Sequence, residues 1–322
     1  MTSQSRSIEV PARRVRTRRK ITLANGGRVQ RDDLVMALVL GLPGFLVLLL
    51  LGIYPILSVL TLAFQQRSML SANAPAVWVG LDNFRSVLSS DQFLNALRNS
   101  IVFTAGTVGF QFIVGLGIAL LLHQKFFARN VFRGLILFSY VVPIVVTAII
   151  WRFMTSESVG ILYHAIRISG LPIPNTWFSS TKTAMAAVIL IATWKFFPFM
   201  VINFLARLQT IDEQLYEAAR VDGASPWQTF RHITLPSLMP VIVIVLLLRT
   251  IWTFNNWDVI ALLTRGGPLR STTTLPILVY NTMFAEFSGG RAAATAFIMT
   301  MILLVGMFFY LRAYNRAEER LA

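Results

Sequence analysis

The 322-residue chain has no cysteine and only three histidines, and charged residues make up 13% of it. The missing thiols exclude disulfide frameworks, cysteine-based zinc sites, iron–sulfur clusters and thiol chemistry. His123, His164 and His232 are scattered along the chain, with no HExxH or other metal-ligand spacing. No Gly-Lys dipeptide occurs, so there is no P-loop to cradle nucleotide phosphates. A soluble domain carries about 25% charged residues; half that share, with 55% hydrophobic residues, excludes a water-soluble enzyme and a disordered chain. Acids are scarce, 14 against 29 Lys and Arg. In so apolar a chain that imbalance points to membrane topology and anionic lipid, not to nucleic acid.

What the chain does have is long apolar runs. Leu34 to Phe64 carries no charge over 31 residues, more than a ~30 Å hydrocarbon core requires at ~1.5 Å per residue. Five further spans are expected over 101–122, 134–151, 183–206, 235–264 and 292–311. Gly106, Gly109, Gly115 and Gly117 in the second span suit close helix packing in lipid. Nine basic residues precede Leu34, and an even number of spans places both termini in the cytoplasm. The tail over 1–33 reads as a disordered, lipid-touching extension. It is expected to be retained and not cleaved as a signal peptide, because the apolar run behind it far exceeds an h-region.

The loop over 207–236 is too patterned for a plain connector. Thr210 with Glu213 forms a capping-box pair that predicts a helix from Ile211. Gly223 is placed to end that helix in the left-handed conformation. Ser225, Pro226 and Gln228 predict a second helix, with Pro236 turning the chain into the next span. The elbow's charges are mixed, Asp212, Glu213, Glu217 and Asp222 against Arg220 and Arg231. A lipid-binding helix would be dominated by Lys and Arg, so the pattern suits a protein partner better.

Glu217-Ala218-Ala219, three residues, Gly223, nine residues and Ile233-Thr234-Leu235-Pro236 resemble the EAA motif of ABC importer permeases. Leu263-Thr264 with Gly266-Gly267-Pro268, and Val79 to Phe84, resemble carbohydrate permeases of the MalF/UgpA type. The resemblance covers most of the chain after about Leu34. It implies an all-α, six-span type I ABC importer permease fold without its own ATPase site. A second permease subunit, two ATPase subunits holding ATP and Mg, and an extracytoplasmic solute-binding protein would be the partners. Glu217, Ala218, Ala219, Asp222 and Gly223 would couple to the ATPase.

Lys195, Arg249 and Asp258 fall inside apolar spans, where charge is costly and normally faces the bundle interior or an aqueous cavity. Two readings stand side by side: these groups line the path of the cargo, or Asp258 neutralises a cation and the set fixes packing. The resemblance to maltose-type permeases carries sugar contacts onto Lys195, Phe196, Phe199, Arg249, Trp252, Thr253 and Asn256. Aromatic rings at Phe199 and Trp252 could stack on a sugar, and Asn256 offers an amide. Two cationic positions depart from that pattern and put maltose itself in doubt, leaving another sugar, a polyol or an anionic glycerol phosphate. A secondary transporter driven by an ion gradient would leave the elbow without a purpose, and no inverted repeat is visible.

Overall fold

A computed structural model describes residues 31–70, 76–170 and 177–319. The basic tail lies outside them except for residues 31–33, which open the first helix. Two units are present, one ending at Pro55 and the other beginning at Ile56. The first contains α1 (Arg31–Leu48) and a π-helical turn (Leu49–Ile53) that continues into α2 (Tyr54–Ala63). Then follow α3 (Asp82–Leu88), α4 (Asp91–His123), α5 (Arg129–Val141), α6 (Ile144–Met154) and α7 (Ile161–Ser169). After them come α8 (Ala184–Leu208), α9 (Glu213–Val221) and α10 (Pro226–Thr229), the last leading through a π-helical turn (Phe230–Thr234) into α11 (Leu235–Phe254). The order closes with α12 (Asp258–Leu263), α13 (Leu275–Phe284) and α14 (Gly289–Glu319). Among the described residues five helices are long and apolar enough to cross a membrane, or six if the bent pair α5–α6 is one span.

The outside of the bundle is apolar, as lipid requires: Ile113, Leu135, Ile149 and Phe309 are each more than 60% exposed. Its centre is α8, more than half of which is buried, and α4 packs along it. The two come together because α4 presents glycines. A Cβ at Gly115 would overlap the Cβ of Met200, and one at Gly106 would lie 2.9 Å from Ile189 Cδ1. Gly109 and Gly117 face open space, so only half of the glycines expected at the seam form it. Around it Phe204, Leu208, Leu238 and Val245 make one apolar core, and Val188, Ile191 and Ile260 another.

Two spans differ from the sequence expectation. The third is broken: α5 and α6 meet at 97°. Pro143 lacks the N–H that would continue the helix, and it drives Val142 to an extended ψ of 130°. The fifth ends at Phe254, ten residues early, where Asn255 closes α11. Asp258 therefore opens α12 on an exposed face and forms no ion pair among the described residues, so it does not neutralise the buried Lys195 or Arg249. Pro236 does not turn the chain; it lies in the first turn of α11 after the π-helical turn, and one helix runs from Pro226 to Phe254.

The quoted loop motifs act as fasteners. Asn83 Nδ2 donates to Ala63 O at 2.9 Å and to Gln65 O at 3.0 Å, holding the start of α3 against the end of α2. Beyond α12, the Gly266-Gly267-Pro268 loop is closed by Thr264 Oγ1 against Thr272 Oγ1 at 2.7 Å and by Thr273 Oγ1 donating to Gly266 O at 3.0 Å.

Candidate functional sites: a coupling elbow and a cavity in the bundle

The elbow forms as a helix, a left-handed glycine and a second helix. Asp212, not Thr210, caps α9: its Oδ1 accepts from Gln214 N at 3.0 Å, so the helix starts at Glu213. Thr210 is unavailable because its hydroxyl donates to Arg207 O at 2.8 Å, finishing α8 instead. Gly223 follows with φ +72°, a conformation costly for any residue with a Cβ. Ala224 N then returns to Ala219 O at 2.9 Å. Ser225 and Gln228 make the predicted capping box, with Ser225 N donating to Gln228 Oε1 at 2.7 Å.

The two arms are braced at their base. Tyr216 Oη lies 3.1 Å from Thr234 Oγ1, and Arg207 Nε donates to Ser237 O at 2.9 Å. Glu217, Ala218, Asp222 and Gly223 are exposed and Ala219 is half-buried. Apolar side chains stand out beside them: Val221 is 87% exposed and Trp227 66%. A polar, 350 Å³ recess lies in the inner angle, between Asp222 and His232.

The second site lies between α4, α5, α8 and α11. Its cavity of 330 Å³ is lined by Phe196, Arg249, Trp252, Thr253 and Asn256 together with Phe103, Thr107 and Tyr140. Five of the seven residues singled out for the path thus line one cavity. Arg249 is buried; its Nε donates to Gln111 Oε1 at 2.9 Å and its Nη2 to Thr253 Oγ1 at 3.4 Å. The guanidinium carbon lies 4.7 Å from the centre of the Phe196 ring and 6.0 Å from that of Trp252, within cation–π reach. Asn256 Oδ1 accepts from Val259 N at 3.1 Å, closing the start of α12.

Lys195 and Phe199 do not line the cavity. Phe199 packs edge-on against Trp252, ring centres 5.2 Å apart. Lys195 is buried and its ammonium reaches the break in the third span. It donates to Ser139 O and Tyr140 O at 2.8 Å each, and to Val142 O. These are carbonyls that Pro143 and the end of α5 leave without helical partners, so one cation replaces the missing turn.

Sequence reading missed Phe103, Thr107 and Tyr140 of the lining, and behind them Gln111. Fully buried, it donates to Ala192 O at 3.1 Å while accepting from Arg249. Its signal was a lone amide in a charge-free apolar span.

A family model described as "Binding-protein-dependent transport system inner membrane component" matches residues 111–322. The inner membrane ABC transporter permease protein YcjO of Escherichia coli (strain K12) is 35% identical over 278 residues, 85% of this chain and 92% of that one. The trehalose/maltose transport system permease protein MalF of Thermococcus litoralis is 33% identical over 265 residues, 82% and 88% of the two chains. Among solved structures, a chain of a bacterial ABC transporter involved in the import of the acidic polysaccharide alginate superposes with a TM-score of 0.77. That likeness, at 24% identity, covers 89% of this chain and 97% of the other and shows a common fold. With the family model spanning its C-terminal two thirds, the chain belongs to the inner membrane components of binding-protein-dependent transport systems and has the type I importer permease fold.

Proposed function

We propose that this chain is one of two permease subunits of an ATP-driven carbohydrate importer that moves its cargo by alternating access. It is a transporter subunit and not itself an ATPase. Two ATPase subunits bind ATP and Mg, and a solute-binding protein delivers the cargo from outside. The termini and the elbow lie on the cytoplasmic side, with the basic tail against anionic lipid. Closure of the ATPase pair pushes on the elbow and rocks the spans between inward- and outward-facing states, passing cargo through the cavity beside Arg249 and Trp252.

The observation that carries this reading is the elbow itself. It is braced to the bundle at Tyr216 and Arg207 yet presents Leu215, Val221 and Trp227 to the outside, as a lever that must be gripped. The assignment to carbohydrates is supported by the trehalose/maltose permease among the relatives. A solved transporter with an alginate pentasaccharide-bound periplasmic protein supports the delivery step.

Gly223→Pro tests the coupling. Proline cannot adopt φ +72° and removes the N–H that bonds Arg220 O at 3.1 Å. Co-purification of the ATPase should be lost while the spans still insert. Assembly at the wild-type level would remove the docking role from this elbow.

A further inference from the structure

Arg249 is a cation inside the bundle with no anion beside it. It is 5% exposed, and the ion pairs among the described residues lie elsewhere, at Asp82, Glu213 and Glu286. No carboxylate lines the 330 Å³ cavity that Arg249 faces. A buried charge left without a partner is strongly disfavoured, so its retention here needs a cause.

The guanidinium is held and only partly used. Gln111, anchored by its own bond to Ala192 O, takes Nε, and Thr253 takes one Nη2 hydrogen. An arginine carries five N–H donors in a rigid fork, and the other three meet no acceptor among the described residues. Thr107 also lines the cavity, and its Oγ1 is buried with no hydrogen-bond partner among the described residues. A fixed fork with free donors, a spare hydroxyl and a neighbouring indole make a receptor for a planar or tetrahedral anion attached to a ring. A neutral sugar could stack on Trp252 but would leave the charge uncompensated.

We infer that the cargo is an anionic sugar, a small ring bearing a carboxylate, sulfonate or phosphate. The anionic group seats on the Arg249 fork and the ring face lies on Trp252. Centroid and guanidinium carbon are 6.0 Å apart, so one ring and its substituent span both. The volume sits at the lower end of small-molecule sites, about 300–1,000 Å³, which favours a single ring over an extended chain. This deepens the carbohydrate-importer reading and rests on it.

The test uses cells making the complete transporter. Uptake of labelled glucuronate, sulfoquinovose and glucose 6-phosphate is compared with uptake of glucose, each with ATP available and with ion gradients collapsed. At least one anionic sugar should enter faster than glucose, and which one identifies the anionic group. In Arg249→Gln the anionic-to-neutral ratio should fall about tenfold to a hundredfold, the range for a lost charged hydrogen bond. Arg249→Lys should recover part of it, since the charge remains but the fork is gone. Gln111→Glu is a second variant that keeps the packing and supplies an internal carboxylate to Arg249; it should lower the ratio as well. Preference for glucose in the wild type, or a ratio unmoved in Arg249→Gln and Gln111→Glu, would overturn the anion assignment while leaving an importer. Uptake that follows an ion gradient instead of ATP would overturn the importer reading, and the assignment with it.

Discussion

The elbow and the bundle interior solve opposite problems. At the elbow, polar groups face water and the fold is decided by residues two to five positions apart: Asp212 with Gln214, Ser225 with Gln228, Ala219 with Ala224. In the interior, polar groups are removed from water and find partners far along the chain. Lys195 takes carbonyls 53 to 56 residues away, and Arg249 takes Gln111 from 138 away. Local chemistry builds the elbow, and non-local chemistry builds the cavity in the bundle. Mutations should therefore have unlike consequences in the two places, large and global inside, modest and local outside.

The sharpest way to break that contrast is at the α4–α8 seam. Gly115→Leu forces a side chain into Met200, where even a Cβ overlaps, while Gly117→Leu on the same helix enters open space. The first should cost about 3 kcal/mol, the upper end of overpacking. The second should stay within ~1 kcal/mol of wild type. Thermal unfolding of the purified protein in detergent compares them, and equal losses would mean the seam is not held by close approach.

A smaller effect is expected at the break in the third span. Lys195→Met keeps the stem but removes the ammonium, leaving the carbonyls of Ser139, Tyr140 and Val142 without their donor. Each buried acceptor left unpaired costs ~1–3 kcal/mol, offset in part because a buried charge disappears with it. A net loss of about 2 kcal/mol should appear, together with faster amide exchange at the start of α6, because Lys195 joins α8 to the α5 terminus. If stability falls but exchange around 139–147 does not change, the lysine is not what holds the break together.

These two regions also separate what the sequence could tell from what it could not. The glycine at the elbow, its second cap and the proline after that cap were legible because each depends on neighbours within one helical turn. Even there, Thr210 misled, since a hydroxyl that can cap forward can also bond backward to Arg207 O, and it does. The six apolar runs were legible from hydropathy, but the break in one and the end of another were not. Pro143 breaks the third run in the middle, and the asparagines at 255 and 256 stop the fifth before Asp258. Periodicity does not count backbone carbonyls, so it could not show that Lys195 serves α5 while Arg249 serves the cavity. Both were simply cations in apolar helices until the fold supplied Gln111 to one and the Pro143 break to the other.

The smallest expected effect, at the elbow, tests the local half of the contrast. Ser225→Ala removes the oxygen that accepts from Gln228 N at 3.3 Å and leaves Gln228 Oε1 free to hold Ser225 N. Half a capping box should cost about 1 kcal/mol. The loss should be confined to α10 because the brace between Tyr216 and Thr234 and the one between Arg207 and Ser237 are untouched. Amide exchange resolved by residue should quicken at 227–229 and nowhere in α4 or α8, and global unfolding should not move. If the change spread into the bundle, the elbow would be part of the same cooperative unit as the interior. It would then transmit force by unfolding together with the interior and not as a stiff lever, and the coupling proposed for Glu217 and Gly223 would need a different mechanical basis.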